Sequence, residues 1–248
     1  MALQNGNSQV DGLGMNDYIA KRPWLPYVAP MAIYLLFLQA QTSWPQLLEF
    51  WYPAKTIAVA AVLWFFRKQF EELCSPMICR ASAPLAAGAK PTAAGKAPAL
   101  QGWMLASVIG LVVTVIWIAI DPYYPKLGTA KPFDPSGRWV FIGFRVVGAV
   151  LVVPLMEELF WRAFLIRWLV NEDFKKVAIG TYTGASFAIT VALFGLEHAQ
   201  WLAGLICGTL YNWLYYHRRD IGACVVAHAV SNAALAAWVL TTGDWNFW

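Results

Sequence analysis

The sequence predicts an all-α protein, a polytopic bundle of about seven transmembrane helices, or eight, with its functional site in a polar cavity inside the membrane. Three observations predict this class. Charged residues make up only 13% of the 248 positions, whereas soluble domains carry about 25%. Hydrophobic residues make up 59% and the mean hydropathy is +0.51. Apolar stretches near the roughly 20 residues that a spanning helix needs recur along the chain.

The predicted elements begin after a polar N-terminal tail, residues 1–20, which lacks the charged start and apolar core of a signal peptide. A two-helix membrane part follows over residues 21–73. A flexible loop rich in Ala and Pro is predicted over residues 74–102, and a membrane core over 103–248. The predicted spans are 24–40, 50–66, 103–120, 139–156, 177–197, 201–216 and 221–240.

Two of these spans need comment. The fourth is expected to continue past residue 156 toward Val170, with a kink near Pro154. If the fifth span were a straight helix from Val177, His198 would lie at a very different depth in the membrane from His228. The sequence GTYTG at 180–184 is a poor helix start in lipid, so we expect a break there.

The basic residues predict an orientation. With the N-terminus inside, twelve Lys and Arg fall in inside segments, while four, including Lys55, fall outside. No eukaryotic targeting signal is present, so we expect an integral protein of the bacterial cytoplasmic membrane with its N-terminus inside. No basic tract with interleaved aromatics indicates nucleic acid, and none is expected as a partner.

Three charges stand in the apolar stretch PLMEELFWRAFLIR: Glu157, Glu158 and Arg162. Charges at the centre of a bilayer are costly and usually functional. On a helix, Glu158 and Arg162 are four residues apart and can pair, while Glu157 points about 100° away. One carboxylate is thus neutralised and its neighbour left free. The alternative is that all three form a buried ionic contact between helices or lie at the membrane interface.

Further polar residues lie in the later apolar segments. His228 and Asn232 are four residues apart and share a helical face. Two adjacent hydrogen-bond donors are what a developing oxyanion requires. Together with His198 and the free Glu157, they indicate a hydrolytic site, although a buried His is often only a helix-to-helix contact.

The motifs EExxxR at 157–162, FxxxH from Phe194 to His198 and HxxxN from His228 to Asn232 occur in this order on apolar segments. In this the chain resembles the CPBP family of intramembrane proteases, which includes type II CAAX prenyl endopeptidases and bacteriocin-processing (Abi) proteins. The resemblance covers about residues 139–240.

The resemblance implies a peptidase that uses no cofactor. Glu157 would activate water with help from His198, and His228 and Asn232 would form the oxyanion hole. Glu158, Arg162 and Phe194 would support the site. The implied partners are membrane lipids and a peptide or protein substrate, lipid-modified or not; the sequence does not fix the oligomeric state.

Three alternatives remain open at this point. The first is metal-assisted hydrolysis, in which a divalent ion such as zinc is bound by side chains from separate helices: Glu157, Glu158, His198 and His228. The second is a non-catalytic, immunity-type membrane protein that binds a peptide. The third is a transporter in which these groups relay protons.

Overall fold

The computed structural model describes residues 15–73, 97–128 and 134–247. Within these ranges the secondary structure is helical and contains no strand, which confirms the predicted all-α class. The predicted polar tail lies mostly outside the described residues, and so does residue range 74–96 of the predicted Ala/Pro-rich loop.

Eight helices, counted within the described ranges, make up the bundle. They are α1 (Met15–Ala20), α2 (Leu25–Ser43), α3 (Leu48–Phe66), α4 (Ala97–Ile120), α5 (Trp139–Trp168), α6 (Gly184–Leu196), α7 (Trp201–Arg218) and α8 (Ile221–Thr242). The first turn of α4 lies inside the segment predicted as loop. Lys55, which the charge count assigned to an outside segment, lies inside α3 and is buried.

Three stretches among the described residues are long and apolar enough to cross a membrane: Gly102–Tyr123, Trp139–Trp168 and Ile221–Thr242. The helix Gly184–Leu196 is apolar but shorter. These helices support the predicted helical membrane bundle. The count of seven spans and the N-terminus-inside orientation stay predictions.

The long helix α5 is interrupted by two wide turns. Its segments Gly148–Val152 and Leu159–Leu165 are π-helical, and the α-helical segment Val153–Glu158 lies between them. Pro154 stands at the start of that α-helical segment, where its missing N–H is tolerated. Thus α5 does continue past the two glutamates, and π-helical turns are frequently found at functional sites.

The fifth predicted span begins late, as expected from its GTYTG sequence. A short turn at Phe174–Lys176 is followed by non-helical chain, and α6 starts only at Gly184. Thr183 caps it by accepting a hydrogen bond from the Ser186 backbone N–H. The shortened helix rises only about 20 Å, so the histidine that follows it reaches the depth of the α8 histidine.

Close packing fixes α6 against α7. A Cβ added to Gly204 would lie 3.0 Å from Gly195 Cα, and one added to Gly195 would lie 2.6 Å from Leu205 Cδ2. The two backbones are therefore in contact near the end of α6. A similar contact joins α4 to α8, where a Cβ on Gly110 would clash with the carbonyl oxygen of Ala227.

The N-terminal helices are attached to this core. Helices α2 and α3 pack on each other and on α5. Beyond α3, Glu72 accepts hydrogen bonds from Tyr27 Oη at 2.7 Å and from Arg167 Nη1 at 2.6 Å. Arg167 also donates from Nε to the carbonyl oxygen of Val177 at 2.9 Å. This cluster ties α2, the chain after α3 and the end of α5 together.

Candidate active site

A cavity of about 240 Å³ lies between the helices of the core. The four residues predicted to be catalytic all line it: Glu157, His198, His228 and Asn232. They come from α5, from the chain directly after α6, and from α8. The structure thus brings together side chains that are up to 75 positions apart in the sequence (232 − 157 = 75).

Glu158 faces away from this cavity and into the protein. It is fully buried, and its Oε1 accepts a hydrogen bond from Arg162 Nη1 at 3.1 Å, as the spacing predicts. The same oxygen lies 2.9 Å from His228 Nδ1. Glu158 therefore links α5 to α8, with its second oxygen unpartnered among the described atoms.

Arg162 extends this contact into a network. Its Nε donates to Asn212 Oδ1 at 3.2 Å, and Asn212 Nδ2 donates to Thr190 Oγ1 at 2.9 Å. The guanidinium carbon lies 4.7 Å from the centroid of the Phe194 ring, in cation–π contact. The chain from His228 through Glu158 and Arg162 to Thr190 joins four helices, and we call it the buried network.

His228 is oriented by that network. Since a carboxylate only accepts hydrogen bonds, an ionised Glu158 requires the hydrogen of the imidazole to be on Nδ1. The other nitrogen, Nε2, then faces Glu157 Oε2 at 4.0 Å, which is too long for a hydrogen bond. Nε2 accepts a proton when the ring is neutral and donates one only when the ring is charged.

Glu157 has the opposite environment. It is 5% exposed, and its Oε2 has no hydrogen-bond partner among the described atoms. An unpaired buried polar atom costs about 1 to 3 kcal/mol. A water molecule or a ligand in the cavity would remove this cost.

His198 is held by the backbone of its own motif. Its Nδ1 lies 2.7 Å from the carbonyl oxygen of Phe194, so Nδ1 carries the hydrogen and Nε2 keeps its lone pair. The ring stacks edge-on against Trp117, with centroids 5.3 Å apart. Nε2 is thus the atom of His198 that can take up a proton or bind a cation.

Glu197 belongs to the site, although the sequence reasoning missed it. Ligand atoms of Glu157, Glu197 and His198 all lie within 4.8 Å of one another. The signal was present, because Glu197 is the one charge that ends the apolar stretch of α6 and it directly precedes a motif histidine. This cluster differs from the metal ligands expected from sequence, because it contains Glu197 and neither Glu158 nor His228. Those two residues bond each other in the buried network instead.

Asn232 is positioned by the first π-helical turn of α5. Its Nδ2 donates to the carbonyl oxygen of Ala149 at 2.7 Å. One N–H of the carboxamide is thereby used, and the second remains for a ligand. Asn232 and His228 line the same cavity, which is compatible with the pair of donors expected from their spacing.

Comparison with known proteins gives one family. Residues 139–234 match the family described as Rce1-like, type II CAAX prenyl endopeptidase, which confirms the resemblance drawn from the three motifs. No curated protein and no solved structure matches the chain. The matched range includes every residue of the three motifs. The family supports a peptidase, and together with the apolar helices it indicates an integral membrane protein.

Proposed function

Since residues 139–234 match the Rce1-like CAAX endopeptidases, we propose that the protein is an intramembrane endopeptidase that cuts near the end of a membrane-associated protein or peptide. The observation that carries this proposal is the buried, unpartnered carboxylate oxygen of Glu157, which shares a cavity with two histidines. A carboxylate in that position is suited to activate water. The substrate is a peptide or protein, and a prenylated C-terminal peptide is the first to test.

In the proposed reaction a water molecule lies between Glu157 and Nε2 of His198. Glu157 takes a proton from the water, and the water oxygen forms a bond to the carbonyl carbon of the peptide. The oxyanion that develops is stabilised by Asn232 Nδ2 and by a protonated His228. The C–N bond then breaks, and the proton passes to the leaving amine. The products are a carboxylic acid and an amine.

The buried network has a positioning role in this scheme. Glu158 fixes the imidazole of His228 through Nδ1 at 2.9 Å. Arg162 holds Glu158 in turn. Neither side chain needs to touch the substrate.

A metal-dependent version of the same peptidase is supported by a separate observation, the cluster of Glu157, Glu197 and His198. The bond from Nδ1 of His198 to a backbone carbonyl is typical of histidines that ligate metals through Nε2. In this version the three residues would hold a divalent ion such as zinc, which would supply Lewis acidity to the bound water.

Cleavage of an N-terminally labelled, farnesylated CAAX peptide by the purified protein tests the proposal. We expect Glu157→Gln to lower the rate by about 10² to 10⁴-fold, the usual contribution of a general base. Glu172→Gln, a change at an exposed carboxylate, is the matched control. Wild-type rates in Glu157→Gln would remove Glu157 from the mechanism. Binding of the peptide without cleavage by any form would support a non-catalytic peptide-binding protein.

The same assay with and without a chelator separates the two versions. Cleavage that resists the chelator supports water activation by Glu157 alone. Cleavage that is lost with chelator and restored by zinc supports the metal-dependent version. In that case Glu197→Gln is expected to lower the affinity for zinc, measured by metal content.

A further inference from the structure

Two basic side chains lie within apolar helices next to the cavity, and the proposed chemistry uses neither. Lys55 on α3 is 3% exposed, and its Nζ lies 4.5 Å from the centroid of the Tyr34 ring and 4.3 Å from that of Tyr52. Arg145 on α5 places its guanidinium carbon 4.9 Å from the same Tyr52 ring. We call these four residues the cationic cluster.

The basic groups of this cluster are concentrated. Both contact one ring, that of Tyr52, so they lie close together. Among the ion pairs formed by described residues, none involves Lys55. Charged side chains within membrane helices are rare and usually mark a functional path. An anion bound at the cluster would interact favourably with both basic groups.

The cavity connects the cluster to the active site. Tyr34, Tyr52 and Arg145 line the same cavity as Glu157. Arg145 precedes Glu157 by 12 residues on α5 (157 − 145 = 12), which is about 18 Å of helical rise. An extended peptide spans about 3.3 Å per residue. Arg145 and Glu157 are thus separated by about five residues of peptide at most, and by fewer when the reach of the arginine side chain is included.

We propose that the cationic cluster binds the C-terminal carboxylate of the peptide substrate while the bond to be cut lies at Glu157. This proposal rests on the proposed function. Arginine presents parallel N–H donors that match the two oxygens of a carboxylate. Lys55, which contacts both tyrosine rings, adds a second basic group. The cluster therefore selects peptides with a free C-terminus and limits cleavage to bonds a few residues from it.

Equilibrium binding to the full-length Glu157→Gln protein in phosphatidylcholine nanodiscs tests this without requiring turnover. The probes are one N-terminally labelled, farnesylated CAAX peptide as the free acid and the same peptide as the C-terminal carboxamide. We expect the acid to bind about tenfold or more tightly than the amide. In this background Lys55→Met and Arg145→Gln should each weaken binding of the acid and leave that of the amide unchanged. Lys68→Met, at an exposed lysine after α3, should keep the full preference.

Equal binding of acid and amide to the Glu157→Gln protein would overturn the proposal, whatever the stability of the further variants. Preservation of the preference in both Lys55→Met and Arg145→Gln would also overturn it. Loss of the preference when phosphatidylglycerol is added to the nanodiscs would assign the cluster to a lipid headgroup instead. If the preference is present but no peptide is ever cut by wild type, the carboxylate site stands and the proposed peptidase function fails. If the acid and the amide bind equally but the peptide is cut in a Glu157-dependent way, the proposed peptidase function stands and the carboxylate site fails.

Discussion

Two neighbouring carboxylates of α5 have opposite surroundings. Glu158 shares one oxygen between Arg162 and His228, inside a network that reaches Thr190. Glu157 turns its unpartnered Oε2 toward the cavity, 4.0 Å from the nearest histidine nitrogen of α8. The rotation of about 100° between adjacent helical residues produces this difference. A single helical turn can therefore supply one group that builds the site and one that reacts in it.

Removing a charge from the buried network is expected to have the largest effect on the protein. Arg162→Ala leaves the fully buried Glu158 without its ion pair, and such a loss costs about 3 to 5 kcal/mol of stability. Thermal unfolding in detergent would show this as a large fall in Tm. The control is Lys176→Ala, which breaks an exposed ion pair with Asp173 and should have almost no effect. A stable but inactive Arg162→Ala protein would give Arg162 a direct part in the chemistry.

The substitution Asn232→Ala removes a hydrogen-bond donor that lines the cavity and leaves the buried network intact. Asn232→Ala is expected to lower kcat by about 10² to 10³-fold, the usual effect of losing an oxyanion donor. KM should change little, because the donor acts mainly in the transition state. Thr241→Ala, at an exposed position later on α8, is the control and should leave kcat unchanged. A rise in KM with unchanged kcat would assign Asn232 to substrate binding.

A glycine contact tests how far the site depends on the packing of α6. Gly195→Ala would place a methyl group 2.6 Å from Leu205 Cδ2, and overpacking of this kind costs about 1 to 3 kcal/mol. Because Gly195 lies three residues before His198, we also expect reduced cleavage. Gly184→Ala, at a position with open space around it, should be close to neutral. An unchanged Tm and rate in Gly195→Ala would show that α6 can shift without harm.

Glu197→Gln distinguishes the two ways of activating water and has the smallest expected effect under the metal-free scheme. In the metal-free scheme Glu197 only adds negative charge near Glu157. We therefore expect the cleavage rate to change by less than about tenfold, which corresponds to less than about 1.4 kcal/mol in activation free energy. A loss of the size seen with Glu157→Gln, together with loss of bound zinc, would favour the metal-dependent version. The measurement is the cleavage rate with parallel metal analysis.

The sequence predicts the helices well because apolar length and Gly-rich breaks are local properties. It also predicts the Glu158 and Arg162 pair, since that contact depends only on spacing along one helix. It does not reveal Asn212 or Thr190 as partners, because a hydrogen bond across 50 positions depends on which faces two helices present to each other. Lys55 was placed wrongly for the same reason. A basic residue near a predicted helix start suggests a segment outside the helix, and its contacts with Tyr34 and Tyr52 depend on packing that the sequence does not show.

The π-helical segment Gly148–Val152 has a further consequence for the register of α5. A π turn accommodates an additional residue in an otherwise α-helical run. Deleting one residue there would convert the turn to α-helix and leave the chain on its two sides in nearly the same rotational phase. A deletion in the α-helical segment Val153–Glu158, before Glu157, would instead rotate the following chain by about 100° and turn Glu157 out of the cavity. The π turn is thus the part of α5 where the number of residues can change without moving Glu157, and homologous segments with a different count should be aligned by helical phase.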